Sequence, residues 1–401
     1  MRLLDLCRNL CRKSLSQAFV GTFVASLCRK PLSSRIPNRD FDKGPDRGSD
    51  KGFRQRSRQR VPTKASSLAL VLFLVAGGLW GAEKPINLKL GTLAPSGSSY
   101  HRSLQAMGEK WRNATGGAVR LTIYAGGTQG SESDMVGLMQ TASLDAGLLT
   151  AVGLSEIEPG VSGLQNMPMS FRTLEEVDYV GEKLRPLLEK RLAAKGYVVL
   201  FWCDSGWVRF FTTTPVLHPA DLKKLKIFSW AGDVHQFDIW KAAGFHPVSL
   251  ETAGLLQGFL SGTISAVDTP PLFALATQID HQAKHMLELN WAPLVGAMVV
   301  RARSWERVPA GTRQTFLEAA AEAGRSIKAE GRAENERAVQ AMVKRGLQVQ
   351  KVSPGVEQEW RAETDKVQNL LRGEIVPVDV YDEVERLLRE FRAARGKPDA
   401  K

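Results

Sequence analysis

From Asn87 onward, short runs of β-branched and aromatic residues alternate with amphipathic helical stretches, and this alternation narrows the fold more than any other feature of the chain. Strands separated by helices pair side by side with the helices laid on the sheet, the α/β arrangement. "INLKLGTLA" reads as a first strand with Ile86, Leu88 and Leu90 on one face, ending in a Pro-Ser-Gly turn. "SSYHRSLQAMGEKWRNATGG" is a helix with Leu104, Met107 and Trp111 on one stripe and Gly116 at its end. "AVRLTIYAGG" is the next strand, and in "GSESDMVGLMQTASL" Ser131 and Asp134 are spaced for a capping box. "DAGLLTAVG" reads as a third strand and "RTLEEVDYVGEKLRPLLEKRLAAKG" as a long amphipathic helix despite Pro186.

A second unit repeats the pattern after the β-rich "YVVLFWCDSGWVRFFTTT". It reads as a helix at 219–224, strand "LKIFSW", a helix at 233–243, strand "HPVSL", a helix at 251–260 and strand "TISAVDT". "MLELNWAPLVGAMVVRA" resembles a strand returning to the first unit, after which the chain is helical over 309–344 and 354–395. The expected fold is α/β, with two lobes and a helical C-terminal region. Its first lobe spans 83–207 with 295–350, its second 208–294, and its final helices 351–396. Two such lobes place strand ends around a cleft that hinge motion can close on a ligand.

Charge belongs to the front of the chain. The whole sequence carries +12, but residues 1–64 hold 16 Lys/Arg against 5 Asp, whereas 38 basic face 37 acidic residues from 83 onward. A near-neutral body has no electrostatic reason to track phosphates, so nucleic acid is not an expected partner. Residues 1–64 read as a disordered leader, or as sequence upstream of the true start. Residues 65–82, in "KASSLALVLFLVAGGLWGAEK", have the order of a secretory signal: a lysine, an apolar run too short to span a bilayer, then small residues. Export to the periplasm is expected. Cys7, Cys11 and Cys28 fall in the leader, leaving Cys203 alone in the body as a buried small hydrophobe.

Catalytic signatures are missing from the pattern. There is no G-x-S-x-G elbow, phosphate-binding loop or dinucleotide fingerprint at a strand-to-helix junction. The two histidines of "HQAKH" have helix-adjacent spacing but lack a third ligand, so neither metal nor cofactor is expected. "AGGTQG" precedes a helix and reads either as an anion-holding loop or as a plain turn. Aromatics are more informative: Trp202, Trp207, Phe210, Phe228, Trp230 and Trp291 fall near strand ends or turns, where rings line pockets or pack cores.

Several stretches together resemble the DctP-like solute-binding proteins of TRAP transporters, which have the periplasmic-binding-protein type 2 fold. "LGTLAPSGSSYHRSL" is similar to the family's first strand and cleft loop, "YAGGTQGSESDMVGLMQTASLDAGLL" to its second strand and helix, and "NMPMSF" to its Leu-Pro-Phe-Phe segment. "HPADLKKLKIFSW" is similar to its Asp-Leu-Lys-Gly-Leu-Lys-Ile-Arg signature, and "AGFHPVSLETAGLLQGFLSGTISAVDTPP" to the stretch that follows. The resemblance implies hinge strands, a long helix, a small organic solute captured in the periplasm, and delivery to membrane permease subunits.

It also implies site positions. Phe228 stands where the family typically places a carboxylate-clamping arginine, while Arg209 in "GWVRFFTTT" matches a second basic position. Losing a bidentate pair forfeits about 1.5–3 kcal/mol, and a ring adds apolar area instead. The expected ligand is therefore weakly charged or apolar and aromatic in preference to a carboxylate, which stays open. The expected contacts are Arg209 as polar anchor, Phe228, Trp230, Trp202 and Trp207 as walls, and Asp268 and Thr269 at the rim. Thr92, Ser96 and Gly130 are expected on loops facing the cleft from the first lobe. The competing readings are a periplasmic hydrolase using Asp204, Ser205 and a histidine, and a sensor or scaffold on the same fold.

Overall fold

The computed structural model describes residues 85–395 except residue 232. The leader, the signal-like run and their three cysteines lie outside the described residues. Among the described residues, no helix is long and apolar enough to cross a membrane.

Two sheets organise the chain. The first has order β2-β1-β3-β10-β4, from β1 (Ile86–Thr92), β2 (Val119–Tyr124), β3 (Ala146–Thr150), β4 (Tyr197–Trp207) and β10 (Pro293–Arg301). β1 runs parallel to both β2 and β3, and β10 lies antiparallel between β3 and β4. The second has order β11-β9-β5-β8-β6-β7, from β5 (Arg209–Thr212), β6 (Lys226–Trp230), β7 (His246–Leu250), β8 (Ala266–Thr269), β9 (His285–Glu288) and β11 (Gln348–Lys351). The chain passes between the sheets three times, from β4 to β5 through Val208, from β9 back to β10, and from β10 to β11 by way of the long helix between them; Trp207 pairs with Pro293 where the first two crossings meet.

Both sheets are covered on both faces, and the period-two alternation of strand side chains divides the cores. Along β10, Ala297 and Val299 join one cluster while Met298 and Val300 join the opposite one. In the second sheet, Phe210 and Ile227 face one cluster, and Phe211 and Phe228 face the other. The helices form where the sequence supplies caps. In α1 (Ser99–Ala114) the Ser98 hydroxyl accepts from the His101 amide, and Leu104, Met107 and Trp111 are buried as the stripe requires. In α2 (Glu132–Gln140) the expected box forms: the Asp134 amide donates to Ser131 Oγ, and the Ser131 amide donates to Asp134 Oδ2 at 2.8 Å. α3 (Leu174–Ala194) accommodates Pro186 within its length.

The longest element, α5 (Arg313–Lys344), belongs to both lobes; the shorter α4 (Val234–Ala242) lies in the second. Phe316, Ala320 and Ile327 of α5 pack in the first lobe's core, Ala338 and Met342 in the second's. Its close seating depends on Gly324, where a Cβ would come within 2.7 Å of Phe201 Cβ.

Some expectations need correction. The third strand stops at Thr150, whose side chain caps a short helix, Ala151–Ile157, in place of a continuing strand. "MLELNWAPLVGAMVVRA" is two strands in different sheets, β9 ending at Glu288 and β10 beginning at Pro293, because the chain crosses between the lobes over 289–292. Residues 348–350, assigned to the first lobe, belong to a strand the sequence reading did not include, β11, which pairs with β9 in the second sheet. The C-terminal region is broken into Pro354–Asp365, Gln368–Leu371 and α6 (Val378–Arg395), with Gly373 at φ 106 between the last two. "HQAKH" is a short 3-10 turn running into β9, so its histidines share no helix face.

Candidate functional site

A cavity of about 190 Å³ opens between the lobes. The first lobe contributes Thr92 at the end of β1, Leu148 and Thr150 from β3, and Tyr100 and Ser205; the second contributes Trp230, Asp233, Gln236, Asp268 and Phe273. Val208, Trp291 and Ala292, from the two crossings, also line it. A hollow bounded by both lobes and by the segments that join them changes shape whenever the lobes move.

Its aromatic wall has a defined order. Trp230 meets Phe273 at 5.6 Å between centroids, and behind Trp230 lies Phe228 at 4.7 Å, edge to face. Trp240 and Trp291 stack at 5.1 Å with planes 11° apart, and Phe210 closes on both from the core. Each such pair adds about 0.5–1.5 kcal/mol beyond area burial. The wall therefore rests on packed rings and not on mobile loops.

The polar complement is acidic or neutral. No Lys, Arg or His is among the described residues lining the cavity, whereas Glu132, Asp204, Asp233, Glu251 and Asp268 are. Glu132 is bound internally: the Thr150 amide, the Thr150 hydroxyl and the Gly153 amide all donate to it. Asp233 caps α4, accepting from the Gln236 amide at 2.9 Å, and the Gln236 side chain donates onward to Asp268 Oδ2 at 3.0 Å. Burial pushes the Asp233 carboxyl up to about 6 against that hydrogen bond. Burial, with the neighbouring Asp233 charge added, raises Asp268 well above the usual carboxylate range. Asp268 Oδ1, Gln236 Oε1, Thr269 Oγ1, Asn166 Nδ2 and Trp240 Nε1 are buried without a hydrogen-bond partner.

The expected contacts divide. Trp230, Asp268, Thr269 and Thr92 line the cavity. Phe228 does not: it is fully buried in the core below Trp230, because strand alternation puts residues two apart on one face and only the strand end reaches the hollow. Arg209 does not either. Its guanidinium donates to Asn290, in a separate hollow of about 40 Å³ with Trp207, Glu288, Glu336 and Arg332. Nearby carboxylates draw that charge away from the cleft, and burial lowers its pKa. Trp202 faces α3, where its indole donates to Glu189 at 2.9 Å.

Ser96 and Gly130 stand beside Pro95 and Ser131, which do line the cavity, but are not themselves among its lining residues. The "AGGTQG" amides of Gly126, Gly127 and Gly130 are bonded to Ala94, Thr92 and Gly127 carbonyls, so this stretch is a turn rather than an anion cradle. Tyr100, Trp240, Gln236 and Phe273 were missed. Trp240 and Gln236, four apart on α4, were the recoverable signal, since an aromatic and an amide on one helical stripe can face one hollow.

Nothing in the described geometry assembles a hydrolytic centre. Ser205 Oγ lies 2.5 Å from the Tyr100 hydroxyl, and none of the six histidines lines the cavity. The Cys203 thiol is buried and its pKa is raised by that burial. Among the described residues there is no cluster of three or more His, Cys, Asp or Glu that could hold a metal.

Comparison with known proteins adds the context. The family model described as bacterial extracellular solute-binding protein, family 7, matches residues 90–371. The chain is 25% identical to the C4-dicarboxylate-binding periplasmic protein DctP of Rhodobacter capsulatus over 283 residues, 69% of this chain and 82% of that protein. A TRAP periplasmic solute-binding protein from Ralstonia eutropha H16, solved with bound (S)-2-acetolactate, superposes with a TM-score of 0.71 at 17% identity, covering 76% of this chain and 99% of that one. A Bordetella pertussis extracytoplasmic solute receptor binding pyroglutamic acid gives a TM-score of 0.69 at 19% identity with the same coverage.

Proposed function

The chain belongs to family 7 of the bacterial extracellular solute-binding proteins, the DctP-like TRAP solute-binding proteins, and on that premise we propose that its inter-lobe cavity captures a solute with an apolar or aromatic body and no carboxylate, for delivery to TRAP-type permease subunits. The periplasm is the fitting compartment. The solved neighbours bind organic acids, (S)-2-acetolactate and pyroglutamic acid among them, and lend this ligand class no support. One observation carries the proposal: no basic side chain is among the described residues lining the cavity. A carboxylate taken out of water without a cation or several donors costs several kcal/mol, while rings such as Trp230 and Phe273 reward apolar area at about 25 cal/mol per Å².

The proposed contacts are Trp230, Phe273, Trp240 and Trp291 as walls, with Asp268, Thr269 and Thr92 as polar partners. Closure follows when the solute interacts more favourably with the shut arrangement than with the open one. Native mass spectrometry of protein purified from its own periplasm tests the reading. A retained molecule without a carboxyl group is the expected result; a retained sugar acid or dicarboxylate overturns the ligand class.

A further inference from the structure

An unpartnered carboxyl oxygen in a dry wall is an instability that something must offset. Asp268 is 3% exposed, on β8, and Thr269 beside it is 1% exposed. Gln236 occupies Oδ2 of Asp268, leaving Oδ1 bare, and Gln236 Oε1 is bare as well. Buried polar atoms are paired in all but a few cases, and leaving one unpaired is costly. Asp268 and Gln236 supply two bare acceptors, and with no basic side chain at hand among the described lining residues, the missing partner is a donor that arrives with the solute.

We propose that the solute carries a single ammonium group, which the Asp268 carboxylate binds with Gln236 Oε1 accepting a second proton. The inference rests on the preceding reading of the cleft and specifies the charge of its ligand. An ammonium offers three donors in tetrahedral array, and these two acceptors, on side chains already joined by the Gln236–Asp268 hydrogen bond, take two of them. The aromatic wall supplies π-faces suited to a cation. Asn166 Nδ2 and Trp240 Nε1, donors without partners on the same cavity, accommodate a hydroxyl or carbonyl oxygen on the same molecule.

Ionisation of the carboxyls sets the pH dependence. Asp233 at the α4 N-terminus, itself influenced by His235 and Glu156, raises Asp268, and Glu132, Asp204 and Glu251 line the same cavity. An arriving cation pulls Asp268 towards its charged form, so ammonium binding is expected to be tighter at about pH 7.5 than at about pH 5. A protonated Asp268 donating to a carboxylate ligand would give the opposite slope.

The test uses matched probes on the exported chain: 2-phenylethylamine, 2-phenylethanol and phenylacetate, with their cyclohexyl counterparts, followed by calorimetry at both pH values. The amines are expected to bind at least about tenfold more tightly than the alcohols, with affinity rising with pH. Asp268→Asn is expected to weaken amine binding by about thirtyfold or more and to abolish the preference for amines over alcohols. Gln236→Leu, which removes the second acceptor, is expected to weaken the amines by about threefold to tenfold. Alcohols bound as well as amines, or silence from every amine, overturns the ammonium and leaves the carboxylate-free reading standing. Preference for the carboxylates overturns both.

Discussion

At the crossing between the lobes, Arg209 and Arg332 share a small hollow with Glu288 and Glu336; in the large cavity next to it, five acidic residues stand without one basic side chain among the described lining residues. Arg332 of α5 donates to both oxygens of Asp204 on β4, at 2.8 and 2.7 Å, and also to Asp178 of α3. Burial works against its charge, but these hydrogen bonds outweigh burial and raise its pKa. Arginine neutralises the protein's own carboxylates at the joint, Asp204 of the cavity wall among them, whereas Asp268 has no basic partner among the described lining residues. Opposite charge is thus a structural tie at the joint, and on the reading proposed above the guest supplies it in the cleft.

The largest effect tests whether the rings behind and in the cleft are different things. Phe228→Ala should cost about 3–5 kcal/mol of stability in denaturant unfolding, since it empties a fully packed core position. Trp230→Ala should cost less stability but weaken solute binding by about tenfold or more. Equal losses of affinity in the two variants would break the division. Next, Arg332→Ala should destabilise by about 3 kcal/mol, because Asp204 is buried and loses its bidentate partner, with Lys328 at 3.9 Å left to compensate in part.

A smaller effect sharpens the cleft side. Asp233 titrates near 6 in the folded protein against 3.8 for an ordinary carboxyl. Between those values the folded chain keeps a proton that the unfolded chain has lost, so stability falls as pH rises through the window and stays lower above it. Asp233→Asn, which preserves the cap on Gln236, should remove that slope and gain about 2–3 kcal/mol at pH 7 relative to the parent. Unfolding curves at about pH 4 and pH 7 measure it. The smallest effect is Arg209→Ala, which should leave solute affinity within about threefold, because its charge is directed at Asn290 and nearby carboxylates.

Local patterns made the framework legible. Ser98, Ser131 and the stripe of Leu104, Met107 and Trp111 place α1 and α2 from sequence because caps and periodicity act over a few residues. Strand β6 was equally readable as an element, yet its alternation could not say that Phe228 faces a core and Trp230 the hollow, since both share one face and differ only in distance from the strand end. Arg209 failed for a related reason. A long side chain goes where charge and hydrogen bonding draw it, and Asn290 and Glu336 are far from it in sequence. Asp268 and Thr269 were legible as positions, but their bare oxygens became visible only once β8, β5 and α4 were assembled around them.

One helix anchored in two cores sets the mechanics. α5, 32 residues long and so about 48 Å from end to end, is seated through Gly324 against Phe201 in one lobe and through Ala338 and Met342 in the other. Any swing that widens the cleft must therefore flex a continuous rod or slip its far end past the second lobe's packing. A side chain added at Gly324 would press on Phe201 and disturb that seat, at a place outside the lining of the cleft.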